Sequence, residues 1–470
     1  PGHYLKVSGD NMRIGKYWDV PIYDRAEQLT WPPENLCEQI TQLLTDAIRI
    51  RLRADVPIGC YLSGGLDSSG LAALAHARLG THWTTFGIRF DQDAFDEGAY
   101  QGQMAAFLNA PHRELWATSA RIGDMMADTL WHCETPLLRT SAVPLYMLSQ
   151  VVRESGLKVV LTGEGADEIF GGYNIFKEAK VRQFWSRRPE SSFRSVLLRH
   201  LYGYVFRDPR TQPFLASFFG RGLDESSDPL FSHLLRWENT SRIKSFFSDE
   251  VRMTLGPTDP RERIRQSLPE RYRQSDIVGK AQYLEMKIFL SNYLLSSQGD
   301  RVAMAHSVET RLPFLDCRLI DLMARVPSRW KLLGLKEKYI LKKALASVLP
   351  EEIVARRKQP YRAPVVGGLL SGACQVLAEE LLGAGSIRRV GLFDAAKVGK
   401  LLRKIRTATN PSEIDSMALA GILSTQIIHQ QFVTDFGTRR QPYVEPDLFI
   451  DRRTCAGLPV RRIHPSMCRR

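Results

Sequence analysis

Cysteine is scarce in this sequence, and its spacing indicates neither a metal site nor a redox site. The 470 residues contain seven cysteines, and no two of them form a Cys-x-x-Cys pair. This disfavours a zinc knuckle and a thioredoxin-like centre. The odd, scattered set also disfavours a disulfide framework and fits a reducing compartment, so we expect a cytoplasmic protein.

Long uncharged stretches are equally scarce. The longest, residues 416–434, contains Ser, Thr, His and several Gln, so it predicts a buried helix rather than a membrane span. The N-terminus lacks a basic region followed by an apolar run, so no signal peptide is indicated. No GxxxxGK[ST] loop occurs, which excludes a Walker-type phosphate site.

Basic residues outnumber acidic ones, 64 to 51, for a net charge of +13. Such a balance favours anionic partners, among them nucleotides and nucleic acid. A basic nucleic-acid-binding protein is therefore one alternative, although the chain lacks the interleaved aromatic and basic motif of RNA-recognition domains. The length and a hydrophobic fraction of 44% predict two or three globular domains.

Apolar runs alternate with helical patterns between about residue 34 and residue 161. The runs predict strands, at 58–62, 83–88, 113–116 and 157–161, and the patterns between and around them predict helices, at 34–54, 71–79, 98–108, 122–133 and 143–152. This alternation predicts an α/β fold, a parallel sheet with helices on both faces. From about residue 176 the chain reads as a mostly helical C-terminal part.

A glycine-rich turn follows the first predicted strand: Ser63-Gly64-Gly65-Leu66-Asp67-Ser68-Ser69. Glycines let backbone N–H groups approach an oxyanion closely, and a helix N-terminus adds partial positive charge. The carboxylate of Asp67 would repel a bare phosphate, so it indicates a bridging Mg²⁺ ion. A simple helix-capping turn is the alternative.

A second glycine-rich turn, Thr162-Gly163-Glu164-Gly165-Ala166-Asp167-Glu168, follows the run at 157–161. Because ligands bind beyond the carboxyl ends of parallel strands, we expect both turns on one rim. Asp67 and Asp167 would then share one Mg²⁺ ion. The alternative to a metal site is the solvated start of a helix, where the carboxylates interact favourably with the helix dipole.

Two charged stretches complete the set of motifs. Residues 299–316 read as a helix end followed by a proline-broken segment, which composition alone makes a surface loop. Residues 356–364, Arg-Arg-Lys-Gln-Pro-Tyr-Arg-Ala-Pro, predict a semi-rigid loop that could lie over an anion. A solvated run of charges is the competing interpretation.

All four stretches, in this order, resemble the synthetase domain of the asparagine synthetase family. That family belongs to the N-type ATP pyrophosphatases, whose loop reads SGGxDS and whose fold is adenine nucleotide alpha hydrolase-like. The resemblance covers residues 34–435. It implies that residues 1–33 are a remnant of a preceding glutaminase domain with its linker, and we interpret residues 436–470 as a flexible basic tail.

The resemblance also implies roles for individual residues. Asp67 and Asp167 match the magnesium-binding aspartates, Glu164 an acidic residue that faces the adenylated substrate, and Lys358 a lysine that stabilises pyrophosphate. The ATP-binding residues that it implies are Tyr61, Ser63, Gly64, Gly65, Asp67, Ser68, Ser69, Ile88, Thr162 and Gly163.

The activity implied is ATP-dependent amidation of a small-molecule carboxylate through an acyl-adenylate, with aspartate as the first candidate acceptor. ATP and Mg²⁺ are the implied substrate and cofactor, and a homodimer is an allowed assembly. Asparagine-forming relatives often follow the lysine with Phe-Ser-Asp-Gly, whereas Gln359-Pro360-Tyr361 follows Lys358 here. An amidotransferase or β-lactam synthetase-like enzyme acting on another carboxylate is thus an alternative, and a catalytically inactive scaffold is another.

The source of ammonia is open at this point. The family generates it with an N-terminal cysteine whose free amine serves as base, whereas this chain begins with Pro1 and its first cysteine is Cys37. We expect ammonia to come from glutamine through a domain outside this chain, from solution or from another subunit.

Overall fold

The computed structural model describes residues 1–80, 83–201, 212–408 and 410–436, and within it the side chains of 212–215 are left aside. Its strands are β1 (His3–Ser8), β2 (Asn11–Lys16), β3 (Ile58–Tyr61), β4 (Thr84–Arg89), β5 (His112–Trp116), β6 (Val159–Leu161) and β7 (Glu309–Arg311).

Helices make up most of the remaining described chain. Those of the first half are α1 (Pro33–Arg51), α2 (Leu66–Leu79), α3 (Gly98–Phe107), α4 (Ser119–Cys133), α5 (Ala142–Glu154), α6 (Ala166–Phe170), α7 (Asn174–Ser186), α8 (Ser192–Ser195), α9 (Gln212–Phe219) and α10 (Phe231–Ser241). Those of the second half are α11 (Asp249–Leu255), α12 (Pro260–Ser267), α13 (Ile277–Leu284), α14 (Arg301–Met304), α15 (Cys317–Arg325), α16 (Ser328–Lys331), α17 (Tyr339–Leu345), α18 (Glu351–Ala355), α19 (Val366–Leu369), α20 (Gly372–Leu381), α21 (Ala384–Val390), α22 (Ala395–Thr407) and α23 (Glu413–His429). A π-helical stretch, Glu285–Asp300, joins α13 to α14.

The central sheet has the strand order β5-β4-β3-β6-β7, and each neighbouring pair is parallel. Side chains along β6 alternate between two apolar cores. Val159 and Leu161 pack with α1, α2 and α15, whereas Val160 packs with α4, α5 and α23. Because both faces are covered, the predicted α/β fold and its helical C-terminal part are confirmed.

Helix α1 shows how the local sequence sets these elements. Proline occupies its first turn, where a missing N–H costs nothing. Leu36, Ile40 and Leu44 form one fully buried stripe. Arg49 and Arg51 lie in the last turn, where a positive charge interacts favourably with the helix dipole.

Helix α2 begins earlier than its sequence pattern predicts. The prediction started the helix near residue 71, but it begins at Leu66, so Asp67 and Ser68 lie in its first turn. Hydrophobic periodicity missed this turn because its polar residues face the edge of the sheet rather than the core. The glycine turn itself is therefore shorter than predicted.

Two further segments differ from expectation. The stretch predicted as a surface loop contains β7, whose register pairs Val160 of β6 with Thr310. An edge strand has one neighbour and tolerates polar side chains, so apolar patterning does not reveal it. Residues within 1–33, which show little periodicity, form the antiparallel β1–β2 hairpin, with Leu5 opposite Ile14.

The predicted buried helix at 416–434 corresponds to α23 and a following π-helical turn. Its core-facing residues Leu419, Ala420 and Leu423 are at most 1 % exposed. Within the described ranges, no helix combines the length and hydropathy that crossing a membrane requires. The expected basic tail, residues 436–470, lies outside the described residues except for Phe436.

Candidate functional site

The two glycine turns meet at the carboxyl edge of the sheet. They follow β3 and β6, which are adjacent parallel strands with Cys60 opposite Leu161. A Cβ atom added to Gly163 would lie 3.3 Å from Asp67 Cβ and 3.3 Å from the Ser68 amide nitrogen. A side chain at this position would crowd the first turn, so glycine favours the close approach by which the second turn forms one wall of the first.

The first turn is organised by its own serines. The Ser63 amide donates to Ser68 Oγ at 3.1 Å, and the two serine hydroxyls lie 2.9 Å apart. Gly64 adopts φ +70°, and a Cβ atom there would lie 2.5 Å from Tyr100 Cβ. The turn therefore requires glycine at this position, both for its left-handed backbone and for the space beside Tyr100.

Gly65 and Ser69 extend this turn into α2. Gly65 is the N-cap residue of the helix, and its carbonyl accepts the Ser69 amide at 3.0 Å. The Ser69 side chain is fully buried, and its hydroxyl makes no hydrogen bond to any residue that the structure describes. The helix thus begins directly behind the turn, with its first amides facing the same rim.

Asp67 and Asp167 converge on one lysine that motif analysis did not select. Lys338 Nζ lies 2.5 Å from Asp67 Oδ2 and 2.5 Å from Asp167 Oδ1. Lys338 is only 2 % exposed, and its backbone adopts φ +52° as the N-cap of α17. Lys358 Nζ binds the other side of Asp167, 2.7 Å from Oδ2.

The protonation states follow from burial and these ion pairs. Burial raises the pKa of Asp167, but the ammonium groups of Lys338 and Lys358 outweigh it and hold the pKa at about 2. For Asp67, burial dominates and raises the pKa despite Lys338. Burial lowers the pKa of Lys358, yet the two aspartates more than compensate, so the pKa is raised and the lysine stays charged.

Glu164 lies on the second turn with a strongly perturbed carboxyl group. Burial raises its pKa to about 7, opposed by Lys358 and reinforced by the negative charges of Asp167 and Asp67. A carboxyl group with this pKa exchanges a proton readily near neutral pH. Glu164 is therefore suited to proton transfer, whereas Asp167 is suited to remain charged.

The segment that carries Lys358 is tied to the first turn by Arg356. The Arg356 guanidinium donates to the Gly64 carbonyl at 3.0 Å, binds Glu97 and lies 3.8 Å from the centre of the Tyr100 ring. The basic stretch 356–364 is thus a loop between α18 and α19, and it covers the first glycine turn. The sequence singled out the basic run that begins at Arg356. It did not reveal the contacts that Arg356 makes with Gly64 and Glu97, because those residues are far from it along the chain.

The residues expected near adenine and the adenylate lie on the adjoining strand ends. Tyr61 ends β3 beside Phe86, and the Ile88 carbonyl on β4 accepts a hydrogen bond from Gln101 Nε2 at 2.8 Å. Thr162 is buried, and its amide donates to the Arg311 carbonyl of β7 at 3.0 Å. The structure therefore brings Tyr61, Ile88 and Thr162 to the same edge of the sheet as the two glycine turns.

The aspartate pair offers oxygen atoms of the kind that Mg²⁺ prefers. Asp67 Oδ1 is buried and has no hydrogen-bond partner within the described part of the chain. Among the described residues, no three His, Cys, Asp or Glu side chains come together as a metal site. One or two carboxylates together with substrate phosphates make the usual Mg²⁺ environment at nucleotide sites, so the pair fits an ion that arrives with its substrate.

A parallel sheet with two glycine turns and charged side chains at its carboxyl edge defines an α/β protein with a ligand site at that edge. Sequence comparison gives the family. The asparagine synthase family model matches residues 39–430, and the chain belongs to this family.

Among curated proteins, the chain is similar to Amidase chyE of Penicillium rubens, at 28% identity over 77% of this chain and 58% of that protein. It is also similar to Amidase chry2 of Gibberella zeae, with the same identity and the same coverage of both proteins. Asparagine synthetase [glutamine-hydrolyzing] 1 of Bacillus subtilis is 28% identical over 71% of this chain and 50% of its own length. The chain therefore spans between half and three fifths of the length of these relatives.

Proposed function

We propose that this chain is the ATP-dependent synthetase part of an enzyme that converts a carboxylate into an amide, releasing AMP and pyrophosphate. The observation that carries the proposal is the meeting of Asp67, Asp167 and Lys358 at the edge formed by the two glycine turns. The family match and the relatives, which include asparagine synthetases and amidases, support the same reaction class.

The first half of the reaction activates the acceptor. A carboxylate oxygen of the acceptor forms a bond to the α-phosphorus of ATP, and the bond from that phosphorus to the bridging oxygen breaks, its electron pair leaving with pyrophosphate. The amides in the first turn of α2 and the ammonium of Lys358 would offset the charge that builds on the leaving group. Asp67 and Asp167 would hold Mg²⁺, which supplies further neutralisation of the triphosphate when bound.

The second half forms the amide. The nitrogen of ammonia bonds to the acyl carbon, the bond between that carbon and the AMP oxygen breaks, and AMP leaves with the electron pair. The attacking nitrogen must lose a proton, and we assign its acceptance to Glu164, because a carboxyl group with a pKa of about 7 exchanges a proton near neutral pH. We propose that the enzyme carries out this ATP-dependent reaction in the cytoplasm.

The acceptor is the finer part of the proposal. Aspartate is the first candidate, and a different carboxylate is the second. The observation that favours the second is the loop after Lys358, where Gln359-Pro360-Tyr361 follows in place of the Phe-Ser-Asp-Gly that asparagine-forming relatives often have. Tyr361 anchors this loop by donating to the Ser141 carbonyl at 3.1 Å. Two of the relatives are also named as amidases rather than as asparagine synthetases.

The proposed ammonia source is a glutaminase domain to which the β1–β2 hairpin would belong. Leu5, Val7, Met12 and Ile14 share one face of this ribbon and are 60 to 68% exposed. A two-stranded ribbon is marginally stable alone, so such a face favours a covering sheet. The chain that follows the hairpin contacts the π-helical stretch, since Lys287 Nζ donates to Asp19 Oδ1 at 3.0 Å.

Pyrophosphate release tests the proposed function. The purified chain would be supplied with Mg-ATP, ammonium and a panel of carboxylic acids, including aspartate, and both pyrophosphate and AMP would be measured. Release that depends on one of the acids supports the proposal and identifies the acceptor. ATP cleavage to ADP and phosphate, with no AMP, would contradict it.

A further inference from the structure

Side chains at and just before the start of α17 hydrogen-bond to the backbone of the loop that carries Lys358. The Lys358 amide donates to Glu337 Oε1 at 3.2 Å, and Lys342 Nζ donates to the Arg356 carbonyl at 3.0 Å. Two side chains from one short stretch therefore grip the loop at two backbone points, on either side of Arg357. The loop otherwise lacks regular structure, so these two contacts fix the position of the Lys358 backbone.

Glu337 is itself fixed in place. It is 4 % exposed, and its Oε2 lies 2.6 Å from the ammonium of buried Lys177 on α7. Lys342 Nζ lies 3.5 Å from the other oxygen, Oε1. Burial raises the pKa of Glu337, but Lys177 outweighs it and holds the pKa at about 2, so the carboxylate remains charged.

Glu337 and its neighbour Lys338 connect the two halves of the site. Lys338 binds Asp67 and Asp167, while Glu337 binds the amide of Lys358. Two consecutive residues thus set the position of the aspartate pair relative to the loop that carries the second lysine. Lys338 adopts a left-handed backbone, φ +52°, which lets the two adjacent side chains serve different partners.

We infer that Glu337 is a positioning residue for Lys358: its carboxylate fixes the Lys358 backbone so that the ammonium group lies where pyrophosphate departs. The inference rests on the proposed function, because it presumes that Lys358 meets the phosphates of ATP. Glu337 touches neither the turns nor the aspartates in the contacts above, so it acts through the loop. Such supporting contacts commonly change affinity or activity about 10–100-fold when removed.

Binding calorimetry on the full chain tests this with two probes, Mg-ATP and AMP. Glu337→Gln keeps the size of the side chain but removes its charge, and we expect Mg-ATP affinity to fall about 10-fold to 100-fold. AMP affinity should be unchanged, because AMP lacks the phosphates that Lys358 would meet. Loss of affinity for both probes would indicate a general structural role and overturn the inference.

A double variant shows whether Glu337 acts through Lys358. If it does, Glu337→Gln should cause no further loss of Mg-ATP affinity in a Lys358→Ala background, whereas independent effects would add. Amide hydrogen exchange provides a second measurement, and we expect faster exchange for a peptide spanning residues 356–358 in Lys177→Met/Glu337→Met, which removes the oxygen that accepts from the Lys358 amide. Unchanged exchange there would overturn the inference.

Two further variants guard against misfolding and nonspecific charge effects. Glu337→Gln leaves the buried Lys177 without its counter-charge, so Lys177→Met/Glu337→Met replaces the whole ion pair with apolar side chains. It should fold and show the same selective loss of Mg-ATP affinity. The matched control is Glu34→Gln. Glu34 is an exposed carboxylate of α1 that lies 2.7 Å from Lys343 of α17, so its loss should change the affinity for neither Mg-ATP nor AMP.

The outcomes separate this inference from the proposed function. If Lys358→Ala leaves Mg-ATP affinity intact, the inference fails. The proposed role of Lys358 in the reaction fails as well if pyrophosphate release is also unchanged. If Lys358→Ala weakens Mg-ATP binding but the Glu337 variants do not, the proposed function survives and only the positioning role is overturned. Selective, non-additive loss in the Glu337 variants supports both.

Discussion

Asp67 and Asp167 bind the same ammonium group, that of Lys338, although they follow different strands of the sheet. Adjacent parallel strands bring the two turns together, and the lysine offsets repulsion between carboxylates that are both withdrawn from water. Lys358 adds a second positive charge on the far side of Asp167. The site is thus preorganised around alternating charges, which is the arrangement that stabilises charge developing in a reaction.

Replacing Lys358 should remove the stabilisation of the leaving group. We expect Lys358→Ala to fold normally and to release pyrophosphate about 10²–10³ times more slowly, the usual effect of losing one preorganised charge. Arg357→Ala is the matched control, since Arg357 is an exposed basic neighbour and should retain activity. Near-normal release by folded Lys358→Ala would remove Lys358 from the mechanism.

Asp67→Asn should weaken the binding of the Mg²⁺ ion that the reaction uses. The substitution keeps the shape of the side chain but removes the charge that a divalent ion requires, so half-maximal pyrophosphate release should need more Mg²⁺. A magnesium titration at constant ATP measures this, with the exposed Asp93→Asn as control. An unchanged titration curve would show that Asp67 does not hold the ion.

The carboxyl group of Glu164 should give amide formation an acidic limb. Its pKa is about 7, so the base form is lost as pH falls through about 7 and the rate should fall with it. Glu164→Gln should be slow at every pH and should lack this limb. Rates of amide formation between pH 5.5 and 8.5, roughly centred on that pKa and measured at a constant concentration of free ammonia, check the prediction. A limb that persists in the variant under this condition would contradict it.

The same pKa shift has a consequence for stability. Because the folded pKa lies above the ordinary value of 4.5, the protonated form favours folding, and this contribution is lost as pH rises through about 7. Glu164→Gln should therefore gain stability relative to the wild type above pH 7 and not below pH 4.5. Urea unfolding at several pH values measures the difference, and a pH-independent difference would be inconsistent with the shift.

Gly64 should tolerate no side chain. Gly64→Ala places a Cβ atom 2.5 Å from Tyr100 Cβ in a backbone with φ +70°, so we expect a loss of about 1–3 kcal/mol in the free energy of unfolding. Gly156 also has positive φ, +81°, but no described atom within 4 Å of such a Cβ. Gly156→Ala therefore isolates the backbone cost. Equal losses in the two variants would show that contact with Tyr100 is unimportant.

Local patterns in the sequence were sufficient for four of the five strands of the central sheet and for the two glycine turns. Each turn directly follows an apolar run, and the run, the glycines and the carboxylates of Asp67 and Asp167 are close together along the chain. Alternation of strands and helices then predicts that both turns lie on one edge. These features depend on short-range spacing, which a single sequence displays.

Long-range packing supplied the rest of the site. Lys338 lies in a lysine-rich stretch with no motif, and it becomes part of the site only because α17 packs where its N-terminus faces both turns. The same holds for Glu337 beneath Lys358. Arg356 lies in the predicted basic loop, but its contact with Gly64 has no local signal, and the edge strand β7 is polar and shows no apolar pattern. Each of these contacts joins residues far apart along the chain, and their energy comes from burial and charge pairing that exist only once the chain has folded.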